Sequence, residues 1–149
     1  HMIGVYKPEL VNMMANVVAE MDFNHVIVAH GMDGLDEMSL TGKTSLAEIK
    51  QKQIRYYDVT PEDFGLKRCT LKDIAGGPPA FNAQVIRDLF SGAERGPRRD
   101  FLVLNNAATL YVSGKAPTIK DGIEMSRSLI DSGAAARKLQ ELVEKSHAA

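Results

Sequence analysis

Apolar residues form a strand-like run in this chain, and a stripe with helical spacing precedes it. Val26 to Ala29 are all apolar, and the run ends abruptly in glycine and acidic residues, as a buried parallel strand does where it enters a loop. Residues 3–6 resemble the end of another strand, and Pro8 suits the first turn of an intervening helix. This order predicts a right-handed strand–helix–strand unit. The helical residues expected to face the core are Leu10, Met14, Val17 and Met21.

Two further strand-like runs follow, at Thr44–Lys50 and Ile54–Val59, with three polar residues between them. Side chains in the second run alternate, which places Tyr57 on one face and Tyr56 on the other. The pair therefore predicts a β-hairpin. A helix over Ser45–Gln53 remains an alternative for the first run, because two of its apolar residues are three positions apart.

The second half of the chain is predicted to be helical. Thr60 and Pro61 mark the start of a short helix that Gly65 ends, and the polar segment 91–99 predicts a mobile loop. We therefore predict one α/β domain, with a partial mixed or parallel sheet and flanking helices. Longer helices are expected at Ala80–Phe90, at Leu102–Val112, after the cap residue Thr118 and after Gly133.

Composition and charge exclude several classes of protein. The chain has 149 residues and a formal net charge of −1, which argues against a protein that binds nucleic acid by neutralising phosphates. No apolar run approaches the roughly 18 residues that a membrane span needs. The single cysteine, Cys69, excludes an internal disulfide and a cysteine-rich zinc site. Cytoplasm is therefore the expected location, and nothing in the sequence marks Cys69 as a nucleophile.

The loop after the apolar run carries the strongest candidate chemistry. Asp33, Asp36 and Glu37 lie within five positions, and Gly31 and Gly34 allow the backbone to bend between them. Ligands of open α/β sheets bind beyond the carboxyl ends of the strands. The adjacent pair Asp36 and Glu37 is suited to hold Mg²⁺ together with oxygens of a phosphorylated substrate. Considered alone, a solvated acidic loop, or Asp36 capping a turn, explains the pattern equally well.

Several polar residues near this loop have structural interpretations. We expect His30 to bond a neighbouring backbone group, although titration near neutral pH remains an alternative. Asp33 is expected to shape the turn before Gly34. Asn105 and Asn106 are predicted to be buried, and to connect their helix to the sheet rather than to contact substrate.

Residues 29–37 read Ala-His-Gly-Met-Asp-Gly-Leu-Asp-Glu, which closely resembles the His-Gly-x-Asp-Gly-Leu-Asp-Glu signature of anthranilate phosphoribosyltransferases. The resemblance continues in order along the chain, and the motifs together are highly specific. The further matching segments are Thr60–Leu66, Gly76-Gly77 with Asn82-Ala83, Leu104-Asn105 with Ala107–Tyr111, and Ile130–Gly133 with Ala135.

The resemblance implies a transferase of tryptophan biosynthesis that uses Mg²⁺. Such an enzyme moves phosphoribose from phosphoribosyl pyrophosphate to the amine of anthranilate and releases pyrophosphate. Mapped by motif, Asp36 and Glu37 are the magnesium-holding pair. The implied fold is the C-terminal part of the nucleoside phosphorylase/phosphoribosyltransferase catalytic domain. A pyrimidine nucleoside phosphorylase is disfavoured, because those enzymes should not combine the acidic loop with the final Asp-Ser-Gly.

The chain departs from the family pattern in the segments with which family members begin. Members begin with a small helical domain and a Gly-Thr-Gly-Gly-Asp loop that cradles pyrophosphate, and this chain has neither. His1 and Met2 resemble a cloning remnant, so residues 3–149 are expected to be the C-terminal catalytic subdomain, inactive by itself. A sheet that lacks its first strands would expose an edge, which favours a homodimer. The alternative is a standalone metal-binding, phosphate-binding or regulatory module on the same fold.

Overall fold

The computed structural model describes residues 1–147 and confirms an α/β fold. Within these residues, one four-stranded sheet has the order β1-β2-β3-β4. β1 lies parallel to β2, whereas β2, β3 and β4 are antiparallel neighbours. The sheet is therefore mixed. Its strands are β1 (Met2–Gly4), β2 (His25–Gly31), β3 (Thr44–Lys50) and β4 (Gln53–Val59).

Helices cover both faces of this sheet and make up most of the second half of the chain. A 3-10 helix at Pro61–Phe64 follows β4 and ends at Gly65, whose φ of 70° is left-handed, as predicted. The α-helices are α1 (Glu9–Glu20), α2 (Leu71–Ile74), α3 (Pro79–Ser91), α4 (Pro97–Val112), α5 (Ile119–Asp131) and α6 (Ala134–His147). No helix within residues 1–147 combines the length and the apolar character that crossing a bilayer requires.

The side chains of β2 divide between two hydrophobic clusters. Val26 and Val28 pack toward α1, whereas Ile27 and Ala29 pack on the opposite face against residues of α4 and α5. All four side chains are at most 1% exposed. Burial on both faces explains why this strand has a continuous apolar run rather than an alternating pattern.

The predicted strand–helix–strand unit is confirmed, but the core-facing stripe predicted for α1 is only half correct. Leu10 and Met14 are partly buried and pack against the core, as predicted. Val17 and Met21 are 53% and 46% exposed, while Val11, Ala15 and Val18 are buried. The helix carries apolar residues around most of its circumference, so spacing alone does not select one stripe. The small side chain of Ala15 lets the helix backbone lie close to the sheet.

The predicted hairpin is confirmed as β3 and β4, and the alternative helix over Ser45–Gln53 is wrong. Lys50 pairs with Gln53 across the turn. The two residues between them, Gln51 and Lys52, both have positive φ, at 51° and 66°. This is the backbone of a two-residue type I′ turn, which matches the twist of the flanking strands.

Three further details differ from the sequence-based expectations. The predicted mobile loop is shorter than 91–99, because α4 begins at Pro97 and the Arg99 guanidinium donates to Asp131 at 2.7 Å. α2 was not predicted, since four residues carry too little periodicity to identify a helix.

Met2 lies in β1, and the His1 carbonyl accepts from the amide of Ile27, so the two residues that resemble a cloning remnant take part in the sheet. The last four residues, Ser-His-Ala-Ala, are expected from the sequence to fray. The first two of them lie within α6, and residues 148–149 lie outside the described part.

Candidate functional site

The acidic loop (residues 32–43) connects β2 to β3 and is folded around the side chain of Asp33. One Asp33 oxygen accepts from the amide of Leu35 at 3.2 Å, and the other accepts from the hydroxyls of Ser39 and Thr41. Burial alone would raise the pKa of Asp33, but these hydrogen bonds outweigh it and lower the pKa below its ordinary value. The prediction that Asp33 shapes the turn is confirmed.

Glycine is required where the acidic loop passes β1. A Cβ atom on Gly4 would lie 1.6 Å from the carbonyl oxygen of Asp36, which is an impossible distance. Gly34 has a φ of 96°, in the left-handed region that other residues seldom adopt. The loop therefore lies directly against β1 and turns sharply before its two adjacent carboxylates.

Asp36 and Glu37 are both exposed at one side of a cavity of about 960 Å³. Within residues 1–147, neither carboxylate has a hydrogen-bond or salt-bridge partner. Partial burial raises the pKa of Glu37, and the neighbouring charge of Asp36 raises it further. Two adjacent unpaired carboxylates that repel each other form a site that a divalent cation would stabilise.

The donor set fits Mg²⁺ only as a partial coordination shell. No group of three or more His, Cys, Asp or Glu side chains that could hold a metal ion is found in the described part of the chain. Mg²⁺ usually binds one or two protein carboxylates and completes its shell with water and substrate phosphate oxygens. Asp36 and Glu37 therefore suit an ion that binds together with a phosphorylated ligand.

Asn105 connects α4 to the acidic loop rather than to the sheet. Its side-chain oxygen accepts from the amide of Met38 at 2.9 Å, and its nitrogen donates to the carbonyl of Met38 at 3.0 Å. The neighbouring Asn106 donates to the Ser126 hydroxyl in α5 at 2.9 Å. The prediction that both asparagines are buried and connect the helix to the sheet is wrong. Both are only partly buried, and all three bonds join α4 to elements outside the sheet.

Two further polar residues line the cavity, of which Arg98 was not found by sequence reasoning and Asn82 was noted only as part of a family motif. Arg98, at the start of α4, donates to the carbonyl of Ala75 at 3.0 Å and lies over the ring of Phe81. Asn82, in α3, bonds both backbone groups of Gly77 at 2.8 Å. Arg98 is the single cationic side chain among the described residues that line the cavity. Sequence reasoning missed Arg98 because it lies in the polar segment 91–99, which was predicted to be a loop.

His30 and Cys69 have structural rather than chemical environments. His30 is 3% exposed, and its Nδ1 atom bonds the carbonyl oxygen of Val5 at 2.8 Å, which confirms the expected backbone bond. Burial, followed by the charges of three nearby aspartates, raises the pKa of the Cys69 thiol. A thiol that ionises less readily is a poorer nucleophile at neutral pH.

A second cluster of ionisable groups lies at the other end of β2 and was also not predicted. Glu48 is 9% exposed and accepts from His25 Nε2 at 2.8 Å, from the hydroxyl of Tyr111 at 2.7 Å and from that of Tyr57 at 3.1 Å. These residues come from three strands and α4. His25 begins β2 whereas the acidic loop follows its end, so this cluster is separate from the candidate site.

Comparison with known proteins gives one consistent family. The profile of the glycosyl transferase family, a/b domain, matches residues 1–136. The anthranilate phosphoribosyltransferase of Methanobrevibacter smithii is 39% identical over 142 residues, which cover 95% of this chain and 42% of the relative. The chain thus spans about two-fifths of the length of the curated relatives it matches.

Solved structures agree with this similarity. Anthranilate phosphoribosyltransferase from Thermus thermophilus has a TM-score of 0.84 and 35% identity, over 95% of this chain and 41% of that one. The Saccharomyces cerevisiae enzyme in complex with 4-fluoroanthranilate has a TM-score of 0.86 and 27% identity. Its complex with PRPP and Mg has a TM-score of 0.83 and 26% identity. Both yeast matches cover 99% of this chain and 43% of the yeast chain.

The sheet and its helices, with the acidic loop after β2, are therefore shared with known enzymes rather than peculiar to this chain. The fold matches the catalytic domain of anthranilate phosphoribosyltransferases. The profile match covers most of the chain, including every strand. The chain belongs to the glycosyl transferase family defined by this a/b domain and, within it, is similar to anthranilate phosphoribosyltransferases.

Proposed function

We propose that this chain supplies the magnesium-binding part of an anthranilate phosphoribosyltransferase of tryptophan biosynthesis, corresponding to the C-terminal part of the catalytic domain. The observation that carries the proposal is the pair of unpartnered carboxylates, Asp36 and Glu37, which follows β2 and faces the cavity. The relatives named above support the reaction, and the yeast complex with PRPP and Mg supports the ligand class.

The reaction transfers phosphoribose from phosphoribosyl pyrophosphate to the amine of anthranilate. Bound Mg²⁺ supplies positive charge that neutralises the departing pyrophosphate. Asp36 and Glu37 would hold the ion. The remaining work of the protein is to position the two substrates, because proximity and orientation lower the barrier to group transfer. We place no other residue of this chain in the chemistry.

We further propose that the chain has no turnover by itself and works as part of a larger assembly. It spans about two-fifths of its relatives' length, and two carboxylates on one side of an open cavity leave most of the coordination shell and of the substrate contacts to other groups. Self-association through β1 is proposed as well, because β1 is an edge strand whose one partner among the described strands is β2, which leaves its other side unpaired. A cytoplasmic location is consistent with these soluble substrates.

A chimera tests the function directly. The matching segment of the Thermus thermophilus enzyme is replaced by this chain, and anthranilate consumption is followed by fluorescence with phosphoribosyl pyrophosphate and Mg²⁺. We expect turnover by the chimera and none by the folded 149-residue chain. The double substitution Asp36→Asn/Glu37→Gln should lower kcat/KM about 100-fold or more, since it removes charge that stabilises the transition state.

Glu20→Gln is the matched control, because Glu20 is also an exposed carboxylate but lies at the end of α1. It should leave the activity of the chimera unchanged. A chimera that is folded but inactive, or one whose activity survives the double substitution, would contradict the proposed function.

A further inference from the structure

We propose that Asn105 is a positioning residue for the metal site, because its side-chain amide fixes the backbone beside Asp36 and Glu37. Met38, the residue that Asn105 holds, directly follows Glu37 in the chain. This role rests on the proposed Mg²⁺ site, and the experiment below separates failure of the two.

The side-chain amide of Asn105 hydrogen-bonds both backbone groups of Met38. It accepts from the Met38 amide at 2.9 Å and donates to the Met38 carbonyl at 3.0 Å. A third bond, from the same nitrogen to the carbonyl of Phe101 at 3.1 Å, ties the side chain to its own helix. Because two bonds to one residue fix orientation as well as distance, Asn105 determines how the loop backbone is rotated at Met38.

β1 confines the acidic loop from another direction. The Asp36 carbonyl lies so close to Gly4 that no side chain fits between them, since an added Cβ would be 1.6 Å from the oxygen. Asp36 and Met38 are thus held by two different elements, β1 and α4, on either side of Glu37. A shift of the loop at one contact would be opposed at the other.

The start of the loop is also fixed, by the hydrogen bonds that Asp33 accepts from Leu35, Ser39 and Thr41. By contrast, the carboxylates of Asp36 and Glu37 have no partner of their own within residues 1–147. Their direction therefore depends on the backbone that carries them. Residues that orient metal ligands without touching the metal commonly change its affinity about 10–100-fold when replaced.

The test compares Asn105→Ala with Asn106→Ala in the 149-residue chain. The two asparagines are neighbours on α4, and each alanine removes hydrogen bonds that join α4 to another element, but only Asn105 touches the acidic loop. Mn²⁺ serves as the probe for the metal, with its dissociation constant measured by electron paramagnetic resonance in the presence of phosphoribosyl pyrophosphate, which supplies the phosphate oxygens of the coordination shell. Hydrogen–deuterium exchange of the segment 35–40 is measured without metal.

We expect Asn105→Ala to weaken Mn²⁺ binding about tenfold and to speed exchange in segment 35–40. Asn106→Ala should change neither of these two quantities. In a wild-type chain that binds Mn²⁺, an unchanged affinity for Asn105→Ala would overturn the positioning role alone. A wild-type chain that binds no Mn²⁺ even in the presence of phosphoribosyl pyrophosphate would contradict the metal assignment in the proposed function, and this role with it.

A second variant tests the same idea without disturbing α4. Gly4→Ala must displace the Asp36 backbone, whereas Gly42→Ala places its methyl group about 4.0 Å from the nearest neighbouring atom. Gly4→Ala should weaken Mn²⁺ binding and Gly42→Ala should not. Equal affinities for these two variants would overturn the claim that the backbone position controls the metal ligands.

Discussion

Glu48 shows how a single buried charge can hold several elements together. Burial on its own raises the pKa of this carboxyl group, but hydrogen bonds from Tyr111, His25 and Tyr57 outweigh it, so the pKa lies below the ordinary value of 4.5. Burial and the charge of Glu48 raise the pKa of Tyr111 to about 12, so its hydroxyl stays protonated and donates at neutral pH.

This cluster predicts acid-sensitive stability. Because the folded pKa of Glu48 is depressed, its contribution is fully present above the unfolded pKa near 4.5 and is lost as the pH falls through the lower folded value. Tyr111→Phe should lower the free energy of unfolding by about 1.5–3 kcal/mol at pH 7, as expected for a hydrogen bond to a charged group. The loss should shrink as the pH falls below 4.5. Denaturant unfolding across this pH range measures it.

Tyr56→Phe is the control for this prediction. The Tyr56 hydroxyl donates to the neutral amide oxygen of Asn12 in an exposed position, so its loss should be smaller and independent of pH. Equal pH dependence for the two variants would contradict the assignment of the acid response to Glu48.

Residue roles were predictable where the partners are close in sequence. The turn made by Asp33 depends on a hydrogen bond from Leu35, two positions away. The glycines on either side of Asp33 indicate this bend in the sequence. The Glu48 cluster was not predictable, because Tyr111 lies 63 positions further along the chain. Nor was the contact of Asn105 with Met38, which are 67 positions apart. Such pairings depend on how whole elements pack, which local patterns do not encode.

Strands were easier to predict than the orientation of helices. Alternation identified the hairpin, because a period of two places each side chain on one face or the other. For α1 the same reasoning was only half correct. Leu10 and Met14 pack against the core, whereas Val17 and Met21 are exposed. The fully buried residues Val11, Ala15 and Val18 form an equally regular stripe, which spacing alone does not distinguish.

The turn of the hairpin carries residues that are unfavourable for its backbone conformation. Gln51 and Lys52 adopt positive φ, which is unfavourable for residues with ordinary side chains. Gln51→Asn/Lys52→Gly supplies the pair that type I′ turns prefer, and should raise the free energy of unfolding by about 1 kcal/mol. Thermal and denaturant unfolding measure the gain. The control Lys52→Ala keeps the unfavourable φ and should give no gain; if it stabilises equally, turn conformation is not the cause.

In the molecule as a whole, the sheet ends at β1 on one side. Met2 and Ile3 are partly exposed there, and the cavity beside them is lined by apolar residues of α3 and α4. An exposed strand edge next to apolar surface favours pairing with another chain. This arrangement leads to a prediction about assembly.

We expect sedimentation equilibrium to show a mass that rises with concentration through the micromolar range. Met2→Lys should reduce self-association, because a charged edge residue opposes strand pairing. Met13→Lys is the matched control, since Met13 is an exposed methionine on α1. A monomeric mass at every concentration would contradict the prediction. A larger effect of Met13→Lys would place the contact on α1 instead.

The bond between Asn105 and Met38 also bears on how the protein folds during synthesis. The acidic loop leaves the ribosome 67 residues before the asparagine that fixes it. β2 and β3 can pair early, since they are close in sequence, whereas contacts across long separations form late. The carboxylates of Asp36 and Glu37 therefore reach their final orientation only once α4 has been made and has docked, so the metal site is among the last features of this chain to mature.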